Sequence, residues 1–411
     1  MDGIYSSMVS SDGIFGGGNQ SVGFLTGLSS DELLNYTTLP EIVQFYQNAL
    51  TKDNTTLYSS LWIPAYKSIY EANGVLDGLA GSGHISSALR MELTGEAKFV
   101  RAFSNFYLTG LFGGIPLLVT SDYKTNALSF RSKKDSVYQS ILADLRDAQN
   151  LLPTDYSASN GERVRPNSWT ATALLSRIYL YQGDWVDAEA QATILLNATS
   201  QFNLVPDLNQ VFLANSPEAI WQLKPNIAGQ NTNEGNFYIL TAPPSFTALS
   251  PQLVNAFEPD DGRRQNWIAD TVFGTDTFYY PFKYKVRYSE TLTEYSMVFR
   301  LAEIYLIRAE ARAYLNNFPG AAADLDSIRL RAGLANTTAS DLSTLLVAIQ
   351  HERQVELFTE WGHRWLDLIR TGQATPLLSG IKPDWQPNDT LFPIPQADIS
   401  SDPNLTQNPG Y

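Results

Sequence analysis

The stretch Arg300-Leu301-Ala302-Glu303-Ile304-Tyr305-Leu306-Ile307-Arg308-Ala309-Glu310-Ala311 is followed by Ala321-Ala322-Ala323-Asp324-Leu325-Asp326-Ser327-Ile328-Arg329-Leu330-Arg331-Ala332-Gly333. Apolar residues recur in it at three- and four-residue spacing, the period of a helix buried on one face. The spacing predicts one helix over Arg300–Leu315 and a second over Pro319–Arg331, closed by Gly333. The same texture recurs in both directions. Downstream, a long helix is predicted from about Leu342 to Thr371, closed by Gly372. Upstream, Leu61, Trp62, Ala65, Tyr66, Ile69, Ala72 and Asn73 form one stripe of a helix over Tyr58–Leu79, with a kink or a start expected near Pro64. Leu89, Leu93, Ala97, Val100, Phe103, Phe106 and Tyr107 mark another from Ser86 to Leu111, stopped by Gly113-Gly114-Ile115-Pro116. A third spans Ser136–Leu152 and ends before Pro153.

Asn167–Gln182 and Asp184–Leu196 form a further helical pair around Gly183. The turn Gly183-Asp184-Trp185-Val186-Asp187-Ala188 looks like that of a tetratricopeptide repeat, where a small residue lets two helices cross closely. The hairpins do not recur at one fixed period, so the array is degenerate. Three regions lack helical period. Residues 10–57 are loop-rich with a short helix around Leu39–Leu50, residues 199–298 mix short apolar runs (Ala219–Leu223, Phe278–Val286) with Pro and Asn/Gly clusters, and 373–411 form a proline-rich tail. An interval of such length is too long for an idle loop. The fold class expected is mostly α: a tetratricopeptide-like helical-repeat scaffold with an irregular, loop-rich capping subdomain carrying short strands. The chain reads as a single domain, 1–411, with its scaffold at about 58–198 and 298–372. A ligand-binding subdomain occupies about 199–297, and the N-terminal loops 10–57 and the tail 373–411 pack on it.

Composition narrows the function. Of 411 residues, 44% are hydrophobic and 17% charged, enough to bury a large core. A net charge of −14 repels phosphate backbones, which makes nucleic acid a poor partner. Cysteine is absent, which removes thiol nucleophiles and disulfides, and His84, His351 and His363 lack ligand spacing, so no metal site is expected. No cofactor is expected either; loop carboxylates are of the kind that hold Ca²⁺, but no EF-hand spacing supports one. The longest apolar run, Leu111–Val119, is far too short to span a bilayer. The opening Met1-Asp2-Gly3-Ile4-Tyr5 reads as the start of a folded segment.

Further motifs complete an ordered series: Trp62, Tyr66, Ile69 and Asn73; Gly95-Glu96-Ala97-Lys98-Phe99-Val100-Arg101-Ala102-Phe103 leading to Phe112-Gly113-Gly114-Ile115-Pro116-Leu117; His351-Glu352-Arg353-Gln354-Val355-Glu356-Leu357; Glu360-Trp361-Gly362-His363-Arg364-Trp365-Leu366-Asp367-Leu368-Ile369-Arg370; and a close of Leu391-Phe392-Pro393-Ile394-Pro395, Asn404 and Asn408-Pro409-Gly410-Tyr411. With the opening stretch, this series resembles the SusD/RagB family of bacterial outer-membrane lipoproteins from Asp2 to Tyr411. The resemblance implies a scaffold of four helical pairs and a non-catalytic, cell-surface protein. Such a protein captures oligosaccharides, or peptides in the RagB branch, for a SusC-like TonB-dependent transporter. It also implies a lipid anchor to the outer membrane, with a signal peptide and a lipobox cysteine ahead of the numbered chain, which would account for the missing cysteine.

No ligand residue is carried over from the family; the candidates come from composition and loop placement. Sugar rings present C–H faces that pack on indole and phenol rings, while amides, carboxylates and cations meet their hydroxyls. Residues 231–288 hold many such groups, including Phe237, Phe246, Phe278 and Tyr288. Trp267 is the leading candidate because it follows Arg263-Arg264-Gln265-Asn266 in a polar stretch without a helical stripe. Arg263 accompanies it. Tyr279 and Tyr280 come next, since adjacent strand residues face opposite ways. Tyr36 beside Asn35 is a third choice, and Trp62 is ambiguous between core and site. Arg300, Glu303, Arg364, Asp367 and Arg370 read as a charge network locking helices rather than as catalytic groups, because buried charges must be paired. Trp361 and Trp365 read as a packed seam. Carboxylates such as Glu258, Asp260 and Asp261, or Asp384 and Asp389, read as turn residues rather than a glycosidase pair, which would need two acids flanking one cleft. The rival functions are a RagB-like peptide binder, a protein-interaction scaffold and, last, a glycoside hydrolase.

Overall fold

The computed structural model describes residues 1–10 and 13–411. Helices dominate. Ile63–Gly81 packs on Ser87–Phe112, which packs on Lys134–Leu151; Ser168–Gln182 follows and then Trp185–Asn197. The next helix in this succession is Leu301–Tyr314, about a hundred residues on in the chain, and it packs in turn on Phe318–Arg331 and Leu342–Leu357. The scaffold is therefore continuous in space although interrupted in sequence. An alanine-rich seam of Ala302, Ala309, Ala313 and Ala321 lets the last hairpin close tightly around Leu306, Leu325, Ile328, Leu345 and Ile349.

The helix ends follow local chemistry. Ser86 accepts from the Leu89 N–H, and Gly113 ends that helix at φ 74°. Asn167 and Thr170 form a reciprocal capping box. Gly183 takes φ 73° between paired helices, and Asp184 caps the second. At Pro64, which has no N–H to donate, the helix opens with a π-helical segment, Leu57–Trp62, before turning regular at Ile63.

Two segments differ from expectation. The helix expected over Leu342–Thr371 is two, Leu342–Leu357 and His363–Arg370. Buried cations take the carbonyls that would continue it: Lys283 Nζ donates to the Glu356 and Phe358 carbonyls, and Arg300 Nη2 donates to Glu356 as well. The chain then turns through left-handed Thr359, Trp361 and Gly362. Gly362 sits at φ 72°, and a Cβ there would lie 2.7 Å from Thr26 Oγ1. Gly362→Ala is expected to cost about 1–3 kcal/mol, read as a lower midpoint in thermal denaturation followed by circular dichroism. The second difference lies in residues 10–57, where Val22–Ser29 is a helix beside the expected short one, which spans Pro40–Gln47. Every residue of Val22–Ser29 is buried, so it has no polar face and no amphipathic period to read.

The strands are antiparallel pairs. Leu33–Asn35 pairs with Thr247–Leu249, tying the N-terminal loops to the middle of the chain. Ala219–Leu223 pairs with Ser296–Arg300, both fully buried; the second strand runs directly into the Leu301–Tyr314 helix and fixes the loop-rich segment to the scaffold. Ile268–Phe273 and Asp276–Pro281 form a hairpin whose turn includes Gly274 at φ 65°.

Candidate functional site

On the loop-rich side, a cleft of about 380 Å³ is lined by Asn19, Asn236, Phe237, Phe246, Arg287 and Tyr288, among others. Its floor is aromatic: Phe237 meets Phe24 edge-on at 5.0 Å and Phe246 at 5.9 Å. The short helix Asn233–Tyr238, capped by Thr232, brings Asn233 and Asn236 to the cleft. Asn233 is committed to the Val9 and Gly16 carbonyls, at 2.9 and 2.6 Å. Tyr288 stands at the rim, 61% exposed, with the Arg287 guanidinium 5.4 Å from its ring centre. Arg287 donates to Thr241 Oγ1 at 2.6 Å, while its buried Nε has no partner among the described residues. The lining thus offers an exposed phenol ring, amides and a guanidinium, and it contains no carboxylate among the described residues.

An aromatic surface adjoins this cleft. Tyr36 donates its backbone N–H to the Phe246 carbonyl at 2.8 Å, and its ring, 40% exposed, meets Phe278 edge-on at 5.7 Å. Strand alternation puts Phe278 and Tyr280 on one face of the hairpin and Tyr279 on the other. Phe273 joins the first face at 6.3 Å from Phe278. Desolvation raises the Tyr36 and Tyr280 phenols above their ordinary range, with Tyr46 and Asp276 adding to the first and Asp270 to the second. Both are therefore neutral at physiological pH, able to donate and accept.

The structure brings Tyr36 and the Phe278/Tyr280 face together and separates the other candidates. Trp267 is a correction. It is fully buried, donates Nε1–H to the Leu208 carbonyl at 2.9 Å, and lies 5.1–5.6 Å from Lys283, Arg300 and Arg331 as an aromatic plate among cations. Arg263 is a second correction: fully buried, it pairs with Asp261, Glu352 and Glu356 at 2.6–2.9 Å. Neither can touch a ligand. Tyr279 packs on the core with Arg264 over its ring at 4.9 Å. Asn35 spends its amide on Thr37, donating to the carbonyl at 2.8 Å and accepting from the N–H at 3.3 Å. Trp62 is buried at the edge of a different cleft, where its Nε1 donates to Asp398.

The five network residues are all ion-paired. Arg300 joins Glu218, Glu356 and Glu360; Glu303 takes both arms of Arg177 at 2.6 and 2.7 Å; Arg364 holds Asp31; Asp367 joins Arg353 and Arg370; and Arg370 reaches Glu310. Arg300 is the last residue of a strand rather than of a helix, so it does not pair with Glu303. Burial alone would raise Glu356, but Arg331, Arg300 and Arg263 hold it well below the usual carboxylate range. Trp361 and Trp365 are packed, the latter 5.5 Å from Phe392. Glu258 and Asp261 pair with Arg329 and Arg263, which separates them as a catalytic pair.

Arg287 and Asn236 escaped sequence reasoning. The only available signal was the Asn/Gly cluster at 231–236, and nothing marks Arg287 apart from other surface arginines.

Residues 268–411 match the family model described as SusD family, and residues 32–180 match one described as starch-binding, associating with outer membrane. The SusD-like protein P2 of Formosa agariphila is 26% identical across 87% of this chain and 82% of its own length. A solved laminarin-binding SusD-like protein superposes with a TM-score of 0.82 at 26% identity, covering 99% of this chain and 97% of the other. A SusD superfamily protein from Bacteroides vulgatus gives 0.86 at 19% identity over 99% and 97%, a likeness of fold.

Proposed function

This chain belongs to the SusD/RagB family, and from that membership we propose that it captures oligosaccharides at the outer surface of the outer membrane and passes them to a SusC-like TonB-dependent transporter. A lipid anchor would hold it there; no helix of the described residues is long and apolar enough to cross a membrane. The observation that carries the reading is the exposed Tyr288 ring over a cleft of amides and a guanidinium, beside the Tyr36–Phe278 surface. Ring faces pack sugar C–H groups, and Asn236 and Arg287 are placed to meet hydroxyls. The likeness to a laminarin-binding relative and to a starch-binding family model supports a glucan. Binding without chemistry fits a lining that lacks the two carboxylates glycoside hydrolysis requires, and it needs no cofactor.

Calorimetric titration with laminari- and malto-oligosaccharides, and with peptides of similar size, tests the reading. Weak to moderate affinity is expected, since a shallow wet site recovers little desolvation energy. Tyr288→Ala should weaken glucan binding by about tenfold, the equivalent of roughly 1.4 kcal/mol of lost ring contact. Peptide binding with no glycan response would move the protein to the RagB branch, and release of reducing ends would make it a hydrolase.

A further inference from the structure

A second cleft, of about 490 Å³, lies on the opposite sequence arm of the molecule, between the start of the Ile63–Gly81 helix, the turn after Asp122 and the C-terminal helix Gln396–Ser401. Its aromatic walls are Tyr66, Tyr70 and Tyr123; Tyr70 is 53% exposed and Tyr123 70%. At its edge Trp62 and Tyr66 lie with ring centres 4.9 Å apart. The acid of interest is Asp398. One of its oxygens accepts from Tyr58 OH at 3.2 Å and the other from Trp62 Nε1, so neutral donors hold the carboxylate in place. It has no ion-pair partner among the described residues, and neither does Asp402 beside it; Lys67, which also lines the cleft, is paired with Glu71.

Some of the other polar groups of the lining are spent internally. Ser401 donates to the Ala397 carbonyl, Asn126 to Thr120 and Tyr66 OH to Pro116, and Asp402 accepts from the Asn404 N–H. The distinctive feature is a fixed carboxylate in a cleft lined by tyrosines, with apolar residues such as Ile63, Leu118 and Leu405 that suit an alkyl stem. That combination selects a cation on an aliphatic chain. Guanidinium fits better than ammonium, because its plane stacks on rings and its fork can use the second lone pair of each Asp398 oxygen. Val119, Leu128 and Phe130, each more than half exposed, stand next to or close after the lining residues Leu118 and Ala127 in the chain. A free small ligand would leave those side chains bare, whereas a protein segment would cover them. The chain's net charge of −14 favours a basic segment further.

We propose that this cleft is a docking socket for an arginine side chain presented by an apolar segment of a partner protein. Asp398 is its charge partner, and Tyr66, Tyr70 and Tyr123 enclose the guanidinium. The socket shares no lining residue with the cleft around Tyr288, so the two assignments stand or fall separately.

The test uses the full chain, with amide-resolved NMR of the tryptophan indoles as readout, because the Trp62 indole N–H is bonded to Asp398. The probe is the capped tripeptide acetyl-Leu-Arg-Leu-amide, with norleucine in place of arginine as control. The arginine peptide should shift the Trp62 indole saturably, and the norleucine peptide should bind at least about tenfold more weakly. Asp398→Asn should remove that discrimination, and Tyr123→Ala, a change at an exposed ring, should weaken the arginine peptide several-fold while leaving glucan binding unchanged. Equal binding of both peptides would overturn the proposal. So would tighter binding of uncapped Leu-Arg-Leu, which would mark a site for free peptides, or a Trp62 shift produced by laminarihexaose, which would mark a second saccharide site. Self-association abolished by Tyr123→Ala would assign the surface to a second copy of this chain and equally overturn it.

Discussion

Glu356→Gln is expected to lower the unfolding free energy by about 3–5 kcal/mol, seen as a fall in the thermal midpoint. The carboxylate is completely buried and faces three guanidiniums, Arg263, Arg300 and Arg331. Glu218 also serves Arg300 and Arg331, and Glu360 serves Arg300 and Lys283, so the buried cations share their carboxylate partners. An amide keeps the shape and one acceptor but removes the charge. Arg263, Arg300 and Arg331 then each lose one ionised partner in a low-dielectric interior, Arg331 keeping only Glu218, and that loss of compensating charge, rather than of any one hydrogen bond, sets the magnitude. Two comparisons isolate the cause. Glu258→Gln, at the half-exposed partner of Arg329, should cost no more than about 1 kcal/mol because solvent screens it. Glu356→Gln combined with Arg331→Met should be less destabilised than the sum of the two single changes, since the two residues are direct partners and each single change already breaks their pair. If Glu356→Gln costs no more than Glu258→Gln, water reaches the cluster and the argument fails.

This cluster also explains which parts of the molecule were legible beforehand. Helix positions and ends are local properties: the stripe from Leu89 to Tyr107, the Ser86 cap and the Gly113 stop can be read from neighbours in sequence, and the structure follows them. The break after Leu357 is not local. It arises because Lys283 and Arg300, distant in sequence, compete for the carbonyls of Glu356 and Phe358. The site divides in the same way. Tyr36 was readable as a loop aromatic, since a short polar loop leaves a ring few places to hide. Trp267 was misread because its neighbours Arg263 and Arg264 look like solvent-facing residues. Arg263 is instead polar for the benefit of buried Asp261, Glu352 and Glu356, a relation that exists only in three dimensions. The wealth of arginine around a tryptophan was thus a sign of a buried ionic core. Arg287, whose partner-free Nε points to the cleft's chemistry, is one arginine among many until its surroundings are known.

Thermal stability should fall as the pH rises from about 6.5 to about 8, the reverse of the usual behaviour of an acid-sensitive protein; below that interval buried His363, kept neutral by desolvation and nearby cations, works in the opposite direction. Two buried acids cause the fall. Desolvation pushes Glu234 up to about 7, against a hydrogen bond from Ser296, and pushes Glu32 up to about 8, against the Thr359 N–H. The Glu234 carboxyl is pressed against Gly17, where a Cβ would lie 2.4 Å from its carbon, and its second oxygen has no partner among the described residues. In the unfolded chain both acids titrate near 4.5. Between 4.5 and the raised values the folded state holds protons that the unfolded state has released, so their contribution to stability declines with pH across that interval and is lost as each folded-state value is passed. For Glu234 the full loss is on the order of 3 kcal/mol. Below the ordinary carboxylate range the sign changes: Glu356, Glu360 and Asp367 are depressed by their cations, and stability falls as they take up protons. Above about 8 the slope reverses once more, because Lys283 and Lys382, both desolvated to about 8, have released protons that the unfolded chain still binds. Glu234→Gln should therefore flatten the decline between about pH 6.5 and 8 and raise the midpoint at pH 8, and a wild-type midpoint that climbs through this interval would refute the assignment. Glu234 shares its short helix with Asn233 and Asn236. Ionising it strains the element that carries those amides, so glucan affinity at the Tyr288 cleft should weaken over the same interval, and in Glu234→Gln it should not.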